Sequence, residues 1–378
     1  MKIKTNKKEL FHKLLLAKKI TEKNRSVNEY LYNILLEAGD EIFIKSTNLA
    51  HISISKINGV IIEKGTVAVN GILFYNLIAS FKNDEEIYLF TENSQLNIMT
   101  NGNKYKLTSV NKEYLPEMIE DLADVSFFDI DNKLLINSLE RVKYAFDEKN
   151  LNPMLTVINF SINNKILNLY ATCGFLLSTL KTSVETTGNF SNISLGSNNI
   201  EMINFFNKIS EGPFKIGHKE DDSRNILILR NKNMTLIIYV TNYGIANYTK
   251  VLPDLKKYEK FLIEKESFLI SLKRLLLFEN NFDINGIMLI KEKHSNIITL
   301  KLESKSKGKA VEDLQLIKPN NLSFSVVLNG YYLRKIISNF STKIVEFYIN
   351  LQKNNTPLVL LEEENPDYIN LIMRLQEK

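Results

Sequence analysis

Few side chains in this sequence are spaced for catalysis or for holding a metal. Among 378 residues there is one cysteine, Cys173. That excludes an internal disulfide framework and a cysteine-built zinc site, and it fits a reducing compartment. The four histidines, His12, His51, His218 and His294, fall in neither the H-x-x-x-H nor the H-E-x-x-H spacing that puts two imidazoles on one helix face. The densest carboxylate runs, Glu220-Asp221-Asp222 and Glu362-Glu363-Glu364, read as polar, loop-like stretches, the usual home of solvated acids. No G-x-x-x-x-G-K-[ST] loop is present, nor a glycine fingerprint following a strand. We therefore expect no catalytic residue, no metal and no cofactor.

Cations outnumber acids by 48 to 43, a formal charge of +5. Such a surplus does not by itself announce a nucleic-acid partner, so any such role rests on where the charge sits. The residues are 44% hydrophobic and 24% charged, which excludes a wholly disordered chain. No apolar run reaches the ~18 residues of a spanning helix. The start, Met1-Lys2-Ile3-Lys4-Thr5-Asn6-Lys7-Lys8, lacks an apolar core and a cleavage site. The expected location is the cytoplasm, without membrane contact. Abundant Lys, Asn and Ile with no Trp point to an A+T-rich genome, which discounts part of the positive charge.

The elements that would position any site repeat along the chain. Leu10, Leu14 and Ala17 form an apolar i, i+4, i+7 stripe, as do Leu135, Leu139 and Val142, and again Phe268, Leu272 and Leu275. This is the stripe of a helix packed on a core. A second series follows Asn70-Gly71, Ser197-Asn198-Asn199 and Asn329-Gly330: Phe74, Ile78 and Phe81; Met202, Phe206 and Ile209; Leu333, Ile337 and Phe340. Asn and Ser there suit helix N-caps. Both series recur at nearly the same interval, and a repeat of that kind is the primary signal of an array. Strand-like runs lie between, for example Glu41 to Ile44, His51 to Ile54, Ile87 to Phe90, Thr156 to Phe160 and Ile297 to Leu302, with a turn at Asn101-Gly102. The expectation is an α+β chain of three tandem repeats, each with two helices and about eight strands, over residues 1–124, 125–253 and 254–378. Three similar units must cap their ends or close on themselves.

Short segments in these repeats resemble the bacterial DNA polymerase III beta subunit, or sliding-clamp, family over the whole chain. Arg25-Ser26-Val27 with Tyr32-Asn33-Ile34-Leu35-Leu36-Glu37 is similar to the family's R-P-T-x-P-I-L-x-N-I-L-L-E. Ser46-Thr47-Asn48-Leu49 resembles A-T-D-L, and Lys112-Glu113-Tyr114-Leu115-Pro116 resembles E-E-F-P. Asn152-Pro153-Met154-Leu155-Thr156 looks like R-P-I-L-T-G, and Ala171-Thr172-Cys173-Gly174-Phe175-Leu176-Leu177 like A-T-D-G-H-R-L-A. Asn247-Tyr248-Thr249-Lys250-Val251-Leu252-Pro253 resembles P-D-Y-x-x-V-L-P, and the stretch from Tyr368 to Leu375 the terminal L-I-M-P-M-R-L. The resemblance implies the DNA-clamp fold and half of a six-domain ring. It also implies a head-to-tail homodimer around double-stranded DNA that tethers the replicative polymerase alpha subunit. A clamp loader and other proteins with clamp-binding motifs would be further partners. ATP hydrolysis would belong to the loader, and the chain itself would be a non-catalytic processivity factor.

Carried over residue by residue, the resemblance implies three surfaces. DNA phosphates would meet Lys8, Lys19, Lys23, Arg25, Arg141, Lys208, Lys273, Arg334 and Lys335, which are read from the polar faces of the helices and the turn after the first, with Arg25 alone matching a family DNA-contact position. The opening of the fourth helix, Ser197-Asn198-Asn199, lacks the family's basic residues and would grip less. A partner-peptide groove between the second and third repeats would use Leu155, Thr172, Gly174, Phe175, Leu177, Val251, Phe282, Tyr331, Met373, Arg374 and Leu375. Phe175-Leu176 stands where His-Arg is usual, Cys173 for Asp and Ala246 for proline, so the groove should be more apolar. Cys173 reads as a small packed residue. At the dimer seam, Lys104, Tyr105 and Leu107 would face Leu276 and Leu277 of another copy. Lys305, Lys307 and Lys309 fall where acidic residues are usual, so like charges would weaken that seam.

Two other classes compete. An enzyme on nucleic acid or nucleotides would need a metal-binding carboxylate site. A tandem-repeat scaffold that binds only proteins would share the helix stripes but form no ring.

Overall fold

The computed structural model describes residues 1–22, 28–119, 121–221, 224–243, 248–279, 286–353 and 355–376. The first repeat runs β1 (Lys2–Asn6), α1 (Lys7–Glu22), β2 (Asn33–Ala38), β3 (Ile42–Thr47), β4 (His51–Ile57), β5 (Val60–Glu63), β6 (Gly65–Asn70), α2 (Gly71–Ala79), β7 (Glu86–Glu92), β8 (Gln95–Thr100), β9 (Asn103–Val110). The second runs β10 (Phe127–Asp129), α3 (Asn132–Lys143), β11 (Val157–Asn163), β12 (Ile166–Thr172), β13 (Leu176–Ser183), β14 (Phe190–Gly196), α4 (Ser197–Ile209), β15 (Lys215–Glu220), β16 (Asn225–Arg230), β17 (Met234–Tyr239). The third runs β18 (Glu259–Glu264), α5 (Lys265–Leu275), β19 (Ile287–Lys291), β20 (Ile297–Ser304), β21 (Gly308–Gln315), β22 (Phe324–Leu328), α6 (Gly330–Ser338), β23 (Ile344–Ile349), β24 (Leu358–Glu362), β25 (Asn365–Ile372), β26 (Arg374–Leu375). Helix–strand order therefore repeats three times, with two α-helices per repeat among the described residues.

The stripes are the reason these helices form where they do. Leu10, Leu14, Ala17, Leu135, Leu139, Val142, Phe268, Leu272 and Leu275 are all buried, as are Phe74, Met202, Phe206, Leu333 and Ile337. Phe81 and Phe340 are buried too, but α2 and α6 end before them and the following turn carries their rings inward. Asn70 and Asn329 cap as expected: their side chains accept the backbone N–H of Leu73 (2.9 Å) and Tyr332 (3.0 Å). The third expected cap is corrected. Ser197, Asn198 and Asn199 lie inside α4, whose N-cap is Gly196, with no side-chain cap bond. At Asn101-Gly102 both φ angles are positive (45° and 81°), as a tight β8–β9 hairpin requires.

The chain forms two compact units. The first comprises Met1–Ile136 and Val184–Asn242, the second Asn137–Ser183 and Tyr243–Lys378. In the first, one antiparallel sheet runs β10-β15-β16-β17-β4-β3-β2-β6-β9-β8-β7-β1-β5. Strands of two repeats meet there, with Met234 opposite Ser55 and Ile238 opposite His51. In the second, β11-β12-β13-β25-β24-β23-β18 are neighbours in one sheet and β21-β20-β19-β22-β26 form another. Here β13 and β25 join two repeats, Leu176 opposite Ile372 and Leu180 opposite Tyr368.

One member of a carboxylate run is also corrected, while Glu363 and Glu364 are exposed in a turn as expected. Glu362 ends β24 and is 3% exposed, not solvated in a loop. It takes an ion pair from Arg141 and a hydrogen bond from the Ser341 N–H. Asp222 lies outside the described residues. Among those residues, no three His, Cys, Asp or Glu side chains gather as a metal site would need, and no helix is long and apolar enough to cross a membrane.

Candidate functional site

The basic side chains expected on the helices divide by environment. Lys8, Lys208, Lys273 and Arg334 are exposed. Lys19 sits 3.0 Å from the Glu201 carboxylate, with its ammonium 5.5 Å from the ring centroid of Phe205. Lys335 lies 4.8 Å over the Tyr331 ring. Arg141 is committed inward: it pairs with Glu362 and stacks over Tyr368, 4.2 Å from the ring centroid. Lys23 and Arg25 lie outside the described residues. Two further lysines of α1 are buried, which charge counting gives no hint of. Lys7 donates to Asn83 Oδ1 (2.6 Å), and the Lys13 Nζ approaches Glu211 at 4.0 Å.

In the second unit, β13 and β25 assemble an apolar cluster. Tyr170, Leu177, Tyr248, Val359, Leu361 and Leu371 are buried in it, with Leu252, Leu255 and Tyr258 packed against them. The strand alternation that turns Leu177 and Leu371 to one face is the cause. Tyr248 donates to Asn168 Oδ1 (2.7 Å) and its ring stands 4.3 Å from that of Tyr170. Burial raises the Tyr170 phenol above its ordinary range.

Exposed groups stand at the start of β13 and the end of β25. Phe175 is 61% exposed, and Met373 and Val251 are also exposed. The Met373 N–H donates to the Phe175 carbonyl at 2.9 Å, tying two expected groove residues together. Thr172 Oγ1 accepts from the Gly174 N–H (3.0 Å) and donates to the Leu176 carbonyl (2.7 Å). Gly174 has φ +92°, which only glycine adopts without strain. An added Cβ there would meet only Leu155, at 3.8 Å, so backbone conformation rather than space demands the glycine.

The other expected groove residues lie differently. Arg374 donates to the Asn350 carbonyl (2.8 Å), and burial lowers its pKa. Leu375 pairs with Val327 in β26–β22. Tyr331 lines a separate cavity of about 680 Å³ with Cys173, Tyr332, Phe146 and Lys149. Cys173 is buried, as a small packed residue would be. Phe282 lies outside the described residues. Tyr170, Leu361 and Leu371 were missed, although alternation along their strands signals an inward face.

Several strands end their sheets, and two of the eight-residue ones, β9 and β21, leave a long backbone edge open among the described residues. β9 pairs with β8 throughout but with β6 only at Ser109 and Val110, so Asn103 to Thr108 has one free side. β21 pairs with β20 alone and ends its sheet. Lys104 and Tyr105 are exposed. Leu107 is 8% exposed and belongs to the unit's own core, so Tyr105 is the exposed apolar group of β9. Leu277 is 70% exposed and Leu276 half-buried. Lys305 and Lys307 form the β20–β21 turn rather than the edge. The Lys307 ammonium donates to the carbonyls of Glu279 (2.5 Å) and Leu277 (3.3 Å). Lys309 is on the edge strand itself, with Glu312 bound to Arg274 (3.2 Å) and Asp313 to Thr299 (2.6 Å).

Residues 1–119 match the family model described as DNA polymerase III beta subunit, N-terminal domain. A beta sliding clamp of Buchnera aphidicola subsp. Rhopalosiphum padi is 24% identical over 356 residues, 89% of this chain and 88% of the relative. The DNA polymerase III subunit beta of Pseudomonas aeruginosa superposes with a TM-score of 0.87 at 17% identity, all of both chains covered. A Caulobacter crescentus DNA polymerase sliding clamp gives the same figures. A P. aeruginosa sliding clamp bound to griselimycin gives a TM-score of 0.84, also at 17% identity and full coverage.

Proposed function

We propose, from the premise that this chain belongs to the bacterial beta sliding clamp family, that two copies close head to tail into a ring around duplex DNA. The ring tethers the replicative polymerase alpha subunit, and the clamp loader and other motif-bearing proteins share its groove. The observation that carries ring closure is the pair of open edges, β9 in the first repeat and β21 in the third. A long edge left unpaired, as in β21 and over Asn103 to Thr108 of β9, invites another strand. A head-to-tail contact between unlike edges closes when the rotation is right. We place the domain boundaries at residues 124 and 253, and the chain in the cytoplasm.

Sliding requires phosphate contact without base readout. A closed ring is held by topology, so modest charge suffices and +5 is compatible with it. Lys8, Lys208, Lys273 and Arg334 are the best-exposed candidates. Arg25 is proposed beside them from the family motif, and Lys23 because it follows the first helix in the sequence. The apolar cluster around Leu177, rimmed by Phe175, Val251 and Met373, suits short peptides with aliphatic and aromatic anchors. The role is binding and not catalysis.

Retention on DNA topology tests this. The protein is loaded by its loader on nicked circular plasmid, which is then linearised at moderate salt. Retention on the circle with loss from the linear form is expected. Equal retention on both would mean ordinary phosphate binding. No retention on either, with a loader of proven activity, would leave a protein-binding scaffold.

A further inference from the structure

The outer side of the β1–β7–β8–β9 sheet carries a pattern that clamp function does not use. Ile3, Ile87, Leu89, Leu96, Ile98 and Leu107 point into the core. Alternation therefore turns Lys2, Lys4, Tyr88, Phe90, Asn97, Met99, Lys104 and Lys106 to the other face. Register sets them in two rows. Lys4, Tyr88, Met99 and Lys104 are successive neighbours, and so are Lys2, Phe90, Asn97 and Lys106. Each row has an aromatic ring inside and a lysine at either end. The Lys4 ammonium lies 5.3 Å from the Tyr88 centroid and that of Lys104 lies 5.3 Å from Phe90. Tyr88, Phe90, Met99, Thr91 and Lys2 line a hollow of about 580 Å³.

Asn97 supplies an independent observation. It is 1% exposed, and neither its amide nitrogen nor its amide oxygen has a hydrogen-bond partner among the described residues. A buried amide left unpaired is costly and calls for a partner. It lies directly between Phe90 and Lys106.

We propose that this face binds single-stranded nucleic acid. Bases stack on Tyr88 and Phe90, the Asn97 amide meets a base edge once Phe90 and Lys106 shift, and phosphates lie along Lys104 and Lys106. Rings with flanking cations on an open sheet suit stacked bases and their backbone. Glu63 and Glu92 stand at the hollow and Glu86 pairs with Lys4 (2.8 Å), so that side repels phosphate. The β9 side carries Lys104 and Lys106, both exposed and in no ion pair among the described residues, which sets where the backbone runs. This surface is the face of β9, not the backbone edge assigned to the seam.

The test is fluorescence anisotropy of labelled oligothymidylate with the full-length protein and three double variants. Tyr88→Ala with Phe90→Ala should weaken binding by about tenfold or more, while retention on circular plasmid stays unchanged. Tyr88→Leu with Phe90→Leu should lose as much, and Tyr88→Phe with Phe90→Tyr should bind as the parent. Melting curves establish that each variant is folded. Unchanged oligonucleotide affinity in the alanine pair overturns the proposal. So does full binding by the leucine pair, which would make the face a plain apolar surface for a peptide. Loss of circle retention in the parent would instead count against the ring.

Discussion

The guanidinium of Arg141, on α3, forms an ion pair with the carboxylate of Glu362 at the end of β24 and lies over the ring of Tyr368, 4.2 Å from its centroid. The Tyr368 hydroxyl donates back to the Arg141 carbonyl at 2.7 Å. A residue of a type expected to hold phosphate is thus a packing and charge-neutralising element. Arg141→Met leaves the Glu362 carboxylate buried without its cation. Breaking one partner of such a pair costs about 3–5 kcal/mol, whereas removing both is close to neutral. The midpoint of urea unfolding should fall sharply in Arg141→Met and recover in Arg141→Met with Glu362→Leu. A midpoint equal to that of the parent in the single variant would show the pair to be idle.

Phe175 offers a test of the groove without a folding penalty, because its ring is mostly exposed. Phe175→Ala should leave stability within about 0.5 kcal/mol, as exposed substitutions do. Burying such a ring against a ligand contributes about 1.5–3 kcal/mol. Titration calorimetry with a short peptide carrying aliphatic and aromatic anchors should show weakening of about tenfold or more. Equal affinity would place the anchor elsewhere.

Leu277 and Tyr105 are exposed apolar groups beside the long open edges of β21 and β9, and Val311 is a third, on β21 itself. Leu277→Lys should raise the dimer dissociation constant by about tenfold to a hundredfold, from the loss of a buried leucine and the gain of a cation. Analytical ultracentrifugation reads this directly. With Lys309 on one edge and Lys104 and Lys106 on the other, added salt should screen repulsion and tighten the parent dimer. A tight dimer indifferent to salt would refute the like-charge seam.

Burial pushes the Tyr332 phenol from 10.0 up to about 12. Burial also raises Tyr144 and Tyr368. In the unfolded chain these phenols ionise near pH 10, while the folded chain keeps them protonated. Folded protein then binds more protons than unfolded, so stability is intact below pH 10 and falls as pH rises toward 12. Tyr332→Phe should flatten part of that fall in chemical denaturation at stepped pH. An identical slope would exclude Tyr332 as a contributor.

Repeat number, helix positions and most strands were legible because each depends on near neighbours. An i, i+4, i+7 stripe such as Leu10, Leu14 and Ala17 needs only 3.6 residues per turn and a core to face. Asn70 and Asn329 act within three residues of themselves, and so does the Asn101-Gly102 turn. The cap at α4 failed because the Ser197 to Asn199 run gave three polar candidates and the helix begins at the first of them, with Gly196 as its N-cap.

The sequence by itself therefore determined the three-fold α+β plan and the residue types available to each surface. Tertiary structure alone decided which charges reach solvent. Arg141 and Glu362 are far apart in the chain, as are Tyr144 and Asn370, whose side chains hydrogen-bond. Only the pairing of β13 with β25 gathers them. The same holds for Lys13 beside Glu211, for Leu107 turned inward while Tyr105 is exposed, and for Asn97 shut between Phe90 and Lys106. Local periodicity sets which way a side chain points, and long-range strand register sets what it meets.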